Sequence, residues 1–135
     1  MKVLWVCNIM LPAIARHLVL PYSNREGWLA ATLDRFLQEQ HRNRINLGIA
    51  FPVTPETGNI SRKISVSEEE SCSCYGFVEN LETPEQYDAS IEVRMKEIIE
   101  DFKPDMIHIF GTEFPHTLSC VRAYGYPERT LIGIQ

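Results

Sequence analysis

The sequence predicts an α/β fold, a three-layer αβα sandwich built on a mostly parallel sheet. Three observations carry this expectation. Short apolar, β-rich runs at residues 3–7, 45–51 and 106–110 alternate with stretches of helical periodicity. The first run is apolar on both faces, as a covered central strand of a parallel sheet is. The run that begins at Met106 stops at Gly111, and Thr112, Glu113 and His116 follow at once. A buried strand that ends in glycine and then in polar side chains is how open α/β sheets present ligand sites.

Each element can be justified in order. Residues 3–7 are the first strand. Pro12 and Pro21 break the segment that follows, leaving room for a short helical turn at 13–20. Gly27 opens a helix to about residue 40, with Leu29, Leu33, Phe36 and Leu37 on its buried face. A charged turn at 41–44 leads to the second strand at 45–51, then to a loop rich in proline and threonine at 52–58. From 60 to 66, Ile60, Arg62, Ile64 and Val66 alternate with Ser61, Lys63 and Ser65, the period of a half-exposed strand. An acidic turn at 68–70 joins it to a strand at 72–78. The pair is either a β-hairpin at about 60–78 or two sheet strands linked by a turn.

Thr83 is expected to N-cap the next helix, with Pro84 at its first position and Gln86 completing a capping box. Ile91, Met95, Ile98, Ile99 and Phe102 share one face, and Pro104 ends the helix. After the strand at 106–110, residues 114–124 read as a helix with Leu118, Val121 and Arg122 on one side. Gly125 and Pro127 stop it, and a last strand begins at 130. The order β-α-β-(β-β)-α-β-α-β is that of a Rossmann-like domain. The 135 residues suffice for one such domain with its own core. Because the chain ends on a strand, residues 1–135 are expected to be a truncated N-terminal domain of a larger fold.

Composition narrows the function classes. Hydrophobic residues make up 44% and charged residues 23%, ordinary values for a globular domain. The net charge of −5 argues against nucleic acid as a partner, which asks for a basic patch, while leaving room for a local phosphate site. Asn8 interrupts the apolar start, so no secretory signal is read, and no run approaches the ~18 apolar residues of a spanning helix. A cytoplasmic location is expected, and peripheral attachment to a membrane stays compatible with it. Cys7, Cys72, Cys74 and Cys120 contain no C-x-x-C pair, which points to reduced packing thiols and to no metal site.

The candidate site residues lie where strands end and helices begin. Gly27 precedes a helix whose exposed N–H groups attract phosphate, although no G-x-G-x-x-G accompanies it. Trp28 beside it suits packing or ligand stacking. His108, inside the strand, suits a hydrogen-bonded core position. His116 can act as an acid or base, donate to a sugar hydroxyl, or serve as a solvated cap. Glu113 can orient a hydroxyl or favour the positive end of the following helix, and Thr112 can cap that helix. Arg16 and His17 are placed in the loop after the first strand. In a parallel sheet that loop and the Gly111 loop emerge on one edge. Asn8, Arg16, His17, Gly27, Thr112, Glu113 and His116 would then converge on one cleft.

Three segments resemble the N-terminal domain of a retaining glycosyltransferase of the GT-B architecture, in the family-4-like group that builds bacterial surface and capsular polysaccharides. MKVLWVCN resembles its opening strand, REGWLAATLDRFL its glycine-started first helix, and FKPDMIHIFGTEFPHTLS its K-P-D-hydrophobic-H strand and acceptor-side loop. Their order and spacing match over most of the chain. The resemblance implies a hexosyltransferase that moves a sugar from a UDP- or GDP-sugar donor to a glycan or lipid-linked acceptor, with no other cofactor. It implies that a C-terminal domain of the same polypeptide holds most of the donor, so that this domain alone turns over little. Gly27 and Trp28 would approach the donor diphosphate, and residues 111–116 would form the catalytic and acceptor edge. Many members carry a histidine two residues after the strand histidine. Here Phe110 stands at that position, so the catalytic role falls on His116 or Glu113. Two other readings compete. One is a stand-alone flavodoxin-like domain that binds a nucleotide or small ligand. The other is a non-enzymatic interaction module.

Overall fold

The computed structural model describes residues 1–22, 27–66, 70–80 and 82–134, with the backbone alone at 40–43. Its strands are β1 (Lys2–Val6), β2 (Asn46–Val53), β3 (Ile60–Ser65), β4 (Ser71–Val78), β5 (Met106–Phe110) and β6 (Thr130–Gly133). Its helices are α1 (Pro12–Leu18), α2 (Gly27–Asn43), α3 (Ala89–Phe102) and α4 (His116–Tyr124), and a 3-10 turn at Pro127–Arg129 precedes β6. The strands form one sheet of order β3-β4-β2-β1-β5-β6. All neighbours are parallel except β3, which runs antiparallel to β4 as the hairpin reading expects.

Period-two alternation sends each strand's side chains to two separate cores. Val3 and Trp5 of β1 and Ile49 and Phe51 of β2 pack with Leu29, Leu33 and Leu37 of α2 and Ile14 of α1. Leu4 and Val6 of β1 and Ile107 and Ile109 of β5 pack with Ile91, Met95 and Ile98 of α3 and Cys120 of α4. The molecule is therefore a Rossmann-like α/β sandwich, with α1 and α2 on one face and α3 and α4 on the other. Cys7, Cys72, Cys74 and Cys120 are all buried in these layers. Among the described residues no helix is long and apolar enough to cross a membrane.

Several boundaries differ from expectation, each for a physical reason. Pro52 and Val53 belong to β2 rather than to the following loop. Pairing of β1 with β2 ends at Val6↔Ala50, so Pro52 has a strand neighbour only on the β4 side, opposite Phe77. A proline is tolerated where one side of the ladder asks for no donor. The short helical turn expected at 13–20 is present as helix α1, so Arg16 and His17 lie on a helix rather than in the loop. It closes at Val19, whose left-handed backbone (φ 56°) donates its N–H to Ala15 O. Both residues sit in the last turn, where the Arg16 cation complements the helix dipole.

The expected cap at Thr83 is not used. Residues 83–86 form a turn in which Gln86 N donates to Thr83 O at 3.1 Å. Asp88 caps α3 instead, accepting from Ser90 N at 2.8 Å. The first core residue of the helix is Ile91, so an earlier start would have had no buried face to stabilise it. In α4 the buried side carries His116, Ser119, Cys120 and Tyr124, while Leu118 is 51% exposed. That helix starts at His116 with Pro115 before it, so Thr112 is not its cap. The acidic turn at 68–70 lies outside the described residues apart from Glu70, whose carbonyl accepts from Val66 N.

Candidate functional site

The strand order reverses between β1 and β5: β2 and β4 build outward on one side, β5 and β6 on the other. Outside the carboxyl ends of the strands at such a reversal lies the crevice that open α/β sheets use for ligands. Three chain segments deliver polar groups there. Asn8 comes just after β1, Glu113 follows β5, and Glu79 is the residue after β4. His116 opens α4 beneath them.

These four side chains form one hydrogen-bonded chain. His116 Nδ1 faces Glu79 Oε1 at 2.8 Å and Oε2 at 3.0 Å. His116 Nε2 lies 2.9 Å from Asn8 Oδ1. Asn8 Nδ2 donates to Glu113 Oε2 at 2.7 Å. His116 has no exposed surface, Glu79 is 3% exposed and Asn8 is 4% exposed. Asn8 spends its NH2 group on Glu113, so its oxygen must accept from Nε2. Nδ1 shares one proton with the Glu79 carboxyl group in the facing hydrogen bond. Both ring nitrogens are thereby engaged, and His116 and Glu79 form one buried hydrogen-bonded pair.

Glu79 has a second task. Its Oε2 accepts from the backbone N–H of His116 at 3.1 Å, so a carboxylate stands at the positive end of α4. Phe77 and Phe114 lie against the imidazole, with ring centroids at 5.1 and 5.9 Å. Water is thus kept from the His116–Glu79 pair, and the pair's geometry holds the Asn8 amide in one orientation.

Gly111 makes the outer link of the chain sterically feasible. Its φ is +98°, and a Cβ there would stand 2.2 Å from both Asn8 Nδ2 and Glu113 Oε2. The Asn8–Glu113 bond passes directly over the glycine Cα. Gly111 N donates to Gly133 O at 2.7 Å, and Thr117 Oγ1 donates to its carbonyl at 3.0 Å, so the turn is pinned from both sides.

A cleft of about 550 Å³ opens beside this network over the ends of β2 and β4. Met10, Leu20, Pro21 and Val53 give it an apolar wall. Its polar groups are Thr54, Thr57, Asn80 and the carboxyl-bearing Glu56, Glu79 and Glu82. Among the described lining residues there is no lysine or arginine. Glu79 belongs to both the cleft wall and the buried pair with His116.

The expected site residues are therefore partly assembled. Glu113, Gly111 and His116 meet as anticipated, and Asn8 joins them. His116, however, is an interior group with both nitrogens engaged, neither a solvated cap nor a surface acid. Glu113 binds Asn8 across the crevice, and the carboxylate at the start of α4 is Glu79. Thr112 is exposed. Arg16 and His17 are exposed on α1, where the Arg16 guanidinium lies over the Tyr22 ring at 5.9 Å. Gly27 starts α2, and Trp28 is 53% exposed with its ring centroid 6.0 Å from that of Phe110. His108 is half-buried on β5 and stacks on Phe110 at 4.0 Å, and burial pushes its pKa below the usual histidine value.

Glu79 is the member of this network that sequence reasoning passed over. Its signal was present: a polar residue directly after an apolar strand, as with Asn8 and Gly111. Among known proteins, no family model matches the chain, nor does any curated protein or solved structure.

Proposed function

We propose that this chain is the acceptor-binding half of a glycosyltransferase with two Rossmann-like domains. It would present a glycan or lipid-linked acceptor to a hexosyl group carried by a UDP- or GDP-sugar. The observation that supports this best is the lining of the cleft beside the crevice. Carboxylates, the Asn80 amide and threonine hydroxyls line it, together with an apolar wall. Such groups suit a neutral, many-hydroxyl ligand, whose O–H groups donate to carboxylates and whose C–H faces pack on apolar surface.

Glu113 is the group that would meet the acceptor. It is exposed at the mouth of the reversal crevice, with one carboxylate oxygen held by Asn8. There it can accept the hydrogen bond of the reacting hydroxyl and take up its proton. His116, Glu79 and Asn8 act as positioning residues that fix the direction of that carboxylate. Transfer needs the donor, which a second domain of the same polypeptide would hold. A cytoplasmic nucleotide-sugar pool supplies the donor in this reading, and a lipid-linked acceptor would bring the chain to a membrane surface.

The same lining disfavours a stand-alone nucleotide-binding domain. A phosphate in the cleft would face Glu56 and Glu82, with no lysine or arginine among the described lining residues to offset them.

The test is an NMR titration of the 15N-labelled chain with methyl gluco-, galacto- and mannopyranosides and, separately, with UDP and GDP. The proposal expects the glycosides to shift backbone amides at 53–57, 79–80 and 111–113, with no shift there from the nucleotides. Nucleotide shifts at those amides, with none from any glycoside, would overturn it.

A further inference from the structure

Resting on the sugar-transferase reading, we propose a second subsite beside the cleft, which makes the acceptor an uncharged oligosaccharide of at least two rings. A cavity of about 280 Å³ lies between the start of α3 and the start of α4. It shares Glu79 and Asn80 with the larger cleft. A ligand that crosses Asn80 therefore reaches both. The larger cleft falls within the ~300–1,000 Å³ of a complete small-molecule site, and the smaller one just below it, so the second is suited to an added unit of a longer ligand.

The chemistry of the second cavity is that of a sugar subsite. Tyr87 is 41% exposed and lines it. The ring is held in place: its hydroxyl donates to Glu92, and the Arg122 guanidinium lies over it at 5.6 Å. A fixed aromatic ring gives the C–H surface of a pyranose a flat partner. Thr83, Gln86 and Asn80 add hydroxyl and amide groups that both donate and accept. Asn80 Oδ1 accepts from Glu82 N at 3.0 Å, which leaves the amide NH2 as the donor.

The carboxylates set the charge of the ligand. Asp88 is committed to capping α3 and Glu79 to His116. Glu56 and Glu82 add carboxylates to the larger cleft and Asp88 to the smaller, and no lysine or arginine stands among the described lining residues of either. A glycan with uronate or phosphate groups is repelled by these carboxylates, whereas a neutral one is not.

The test compares methyl glucopyranoside and methyl mannopyranoside with cellotriose, maltotriose and mannotriose, and with trigalacturonic acid, in NMR titrations of the 15N-labelled chain. At least one neutral trisaccharide is expected to shift amides at both 53–57 and 83–89, and trigalacturonic acid neither set. Tyr87→Ala should weaken trisaccharide binding about three- to tenfold and leave monosaccharide binding unchanged, while Tyr87→Phe, which keeps the ring and loses one of its two tethers, should weaken it less. Gln86→Ala, which leaves the ring in place, should weaken the trisaccharide alone. If monosaccharides shift 53–57 but no trisaccharide shifts 83–89, the second subsite is wrong and the functional reading stands. If nucleotides bind and no sugar does, or if nothing binds, both are wrong.

Discussion

Asn8 and Glu113, 105 positions apart in sequence, are joined by a 2.7 Å hydrogen bond that crosses the Cα of Gly111. The bond ties the end of β1 to the loop after β5 at the point where the sheet reverses its order. It is the outer end of a chain that runs inward through His116 to Glu79. Each link in that chain makes a separate prediction.

Gly111→Ala should disrupt the outer link. The new Cβ would stand 2.2 Å from both hydrogen-bonding atoms, and the backbone would have to hold φ at +98°. Left-handed strain and a lost hydrogen bond together should cost about 2–4 kcal/mol, read as a lower urea midpoint with an unchanged slope. An unchanged midpoint would mean that the Asn8–Glu113 contact is not held as described.

Removing Glu79 should be more damaging. Glu79→Ala leaves the buried His116 Nδ1 without its hydrogen-bond partner and strips an acceptor from the start of α4. Each buried polar group left unsatisfied costs about 1–3 kcal/mol, and two are left here. Glu79→Ala and His116→Ala should couple strongly in a double-mutant cycle, because the second loss no longer strands a buried partner. Additive effects would argue against the buried pair.

His108 should subtract from stability as pH drops below about 6.5, the ordinary value for histidine. Burial lowers its pKa in the folded state. Below the ordinary histidine value the unfolded chain therefore takes up a proton before the folded one does, and folding loses stability. The loss continues until pH passes the lowered folded value, where it levels off. Thermal unfolding of His108→Gln across this range should show a smaller pH dependence than wild type.

The four cysteines should resist alkylation in the folded protein. Burial pushes the Cys120 thiol up to about 12. The hydrogen bond with Cys74 and burial raise Cys72 still further. Thiolate is the reactive form, so a maleimide at neutral pH should add to the native chain slowly and to the urea-unfolded chain at all four positions, by intact mass. Rapid labelling of native protein would contradict the layered core.

The sequence revealed the sheet and its helices because period two and period 3.6 are local signals. Leu29, Leu33 and Leu37 marked α2, and Met106–Phe110 marked β5 with its glycine stop. The α4 face was misread because Leu118 is its most apolar residue yet stays exposed, while the buried side uses Ser119, Cys120 and His116. Hydropathy cannot show that a histidine is buried when its partners come from distant strands. Glu79 lies 37 positions from His116 and reads, in context, as one more acid in a surface loop. Only the parallel register of β4 with β2, and of β1 with β5, brings Glu79, Asn8 and Glu113 to one edge.

The most direct test of the account is the affinity of the chain and of Glu113→Ala for neutral methyl glycosides and for UDP, measured by calorimetry. The account predicts millimolar glycoside binding by wild type, weakened about tenfold or more in Glu113→Ala by the loss of a charge-assisted hydrogen bond, and no heat from UDP. UDP binding tighter than every glycoside, with Glu113→Ala indistinguishable from wild type, would contradict it.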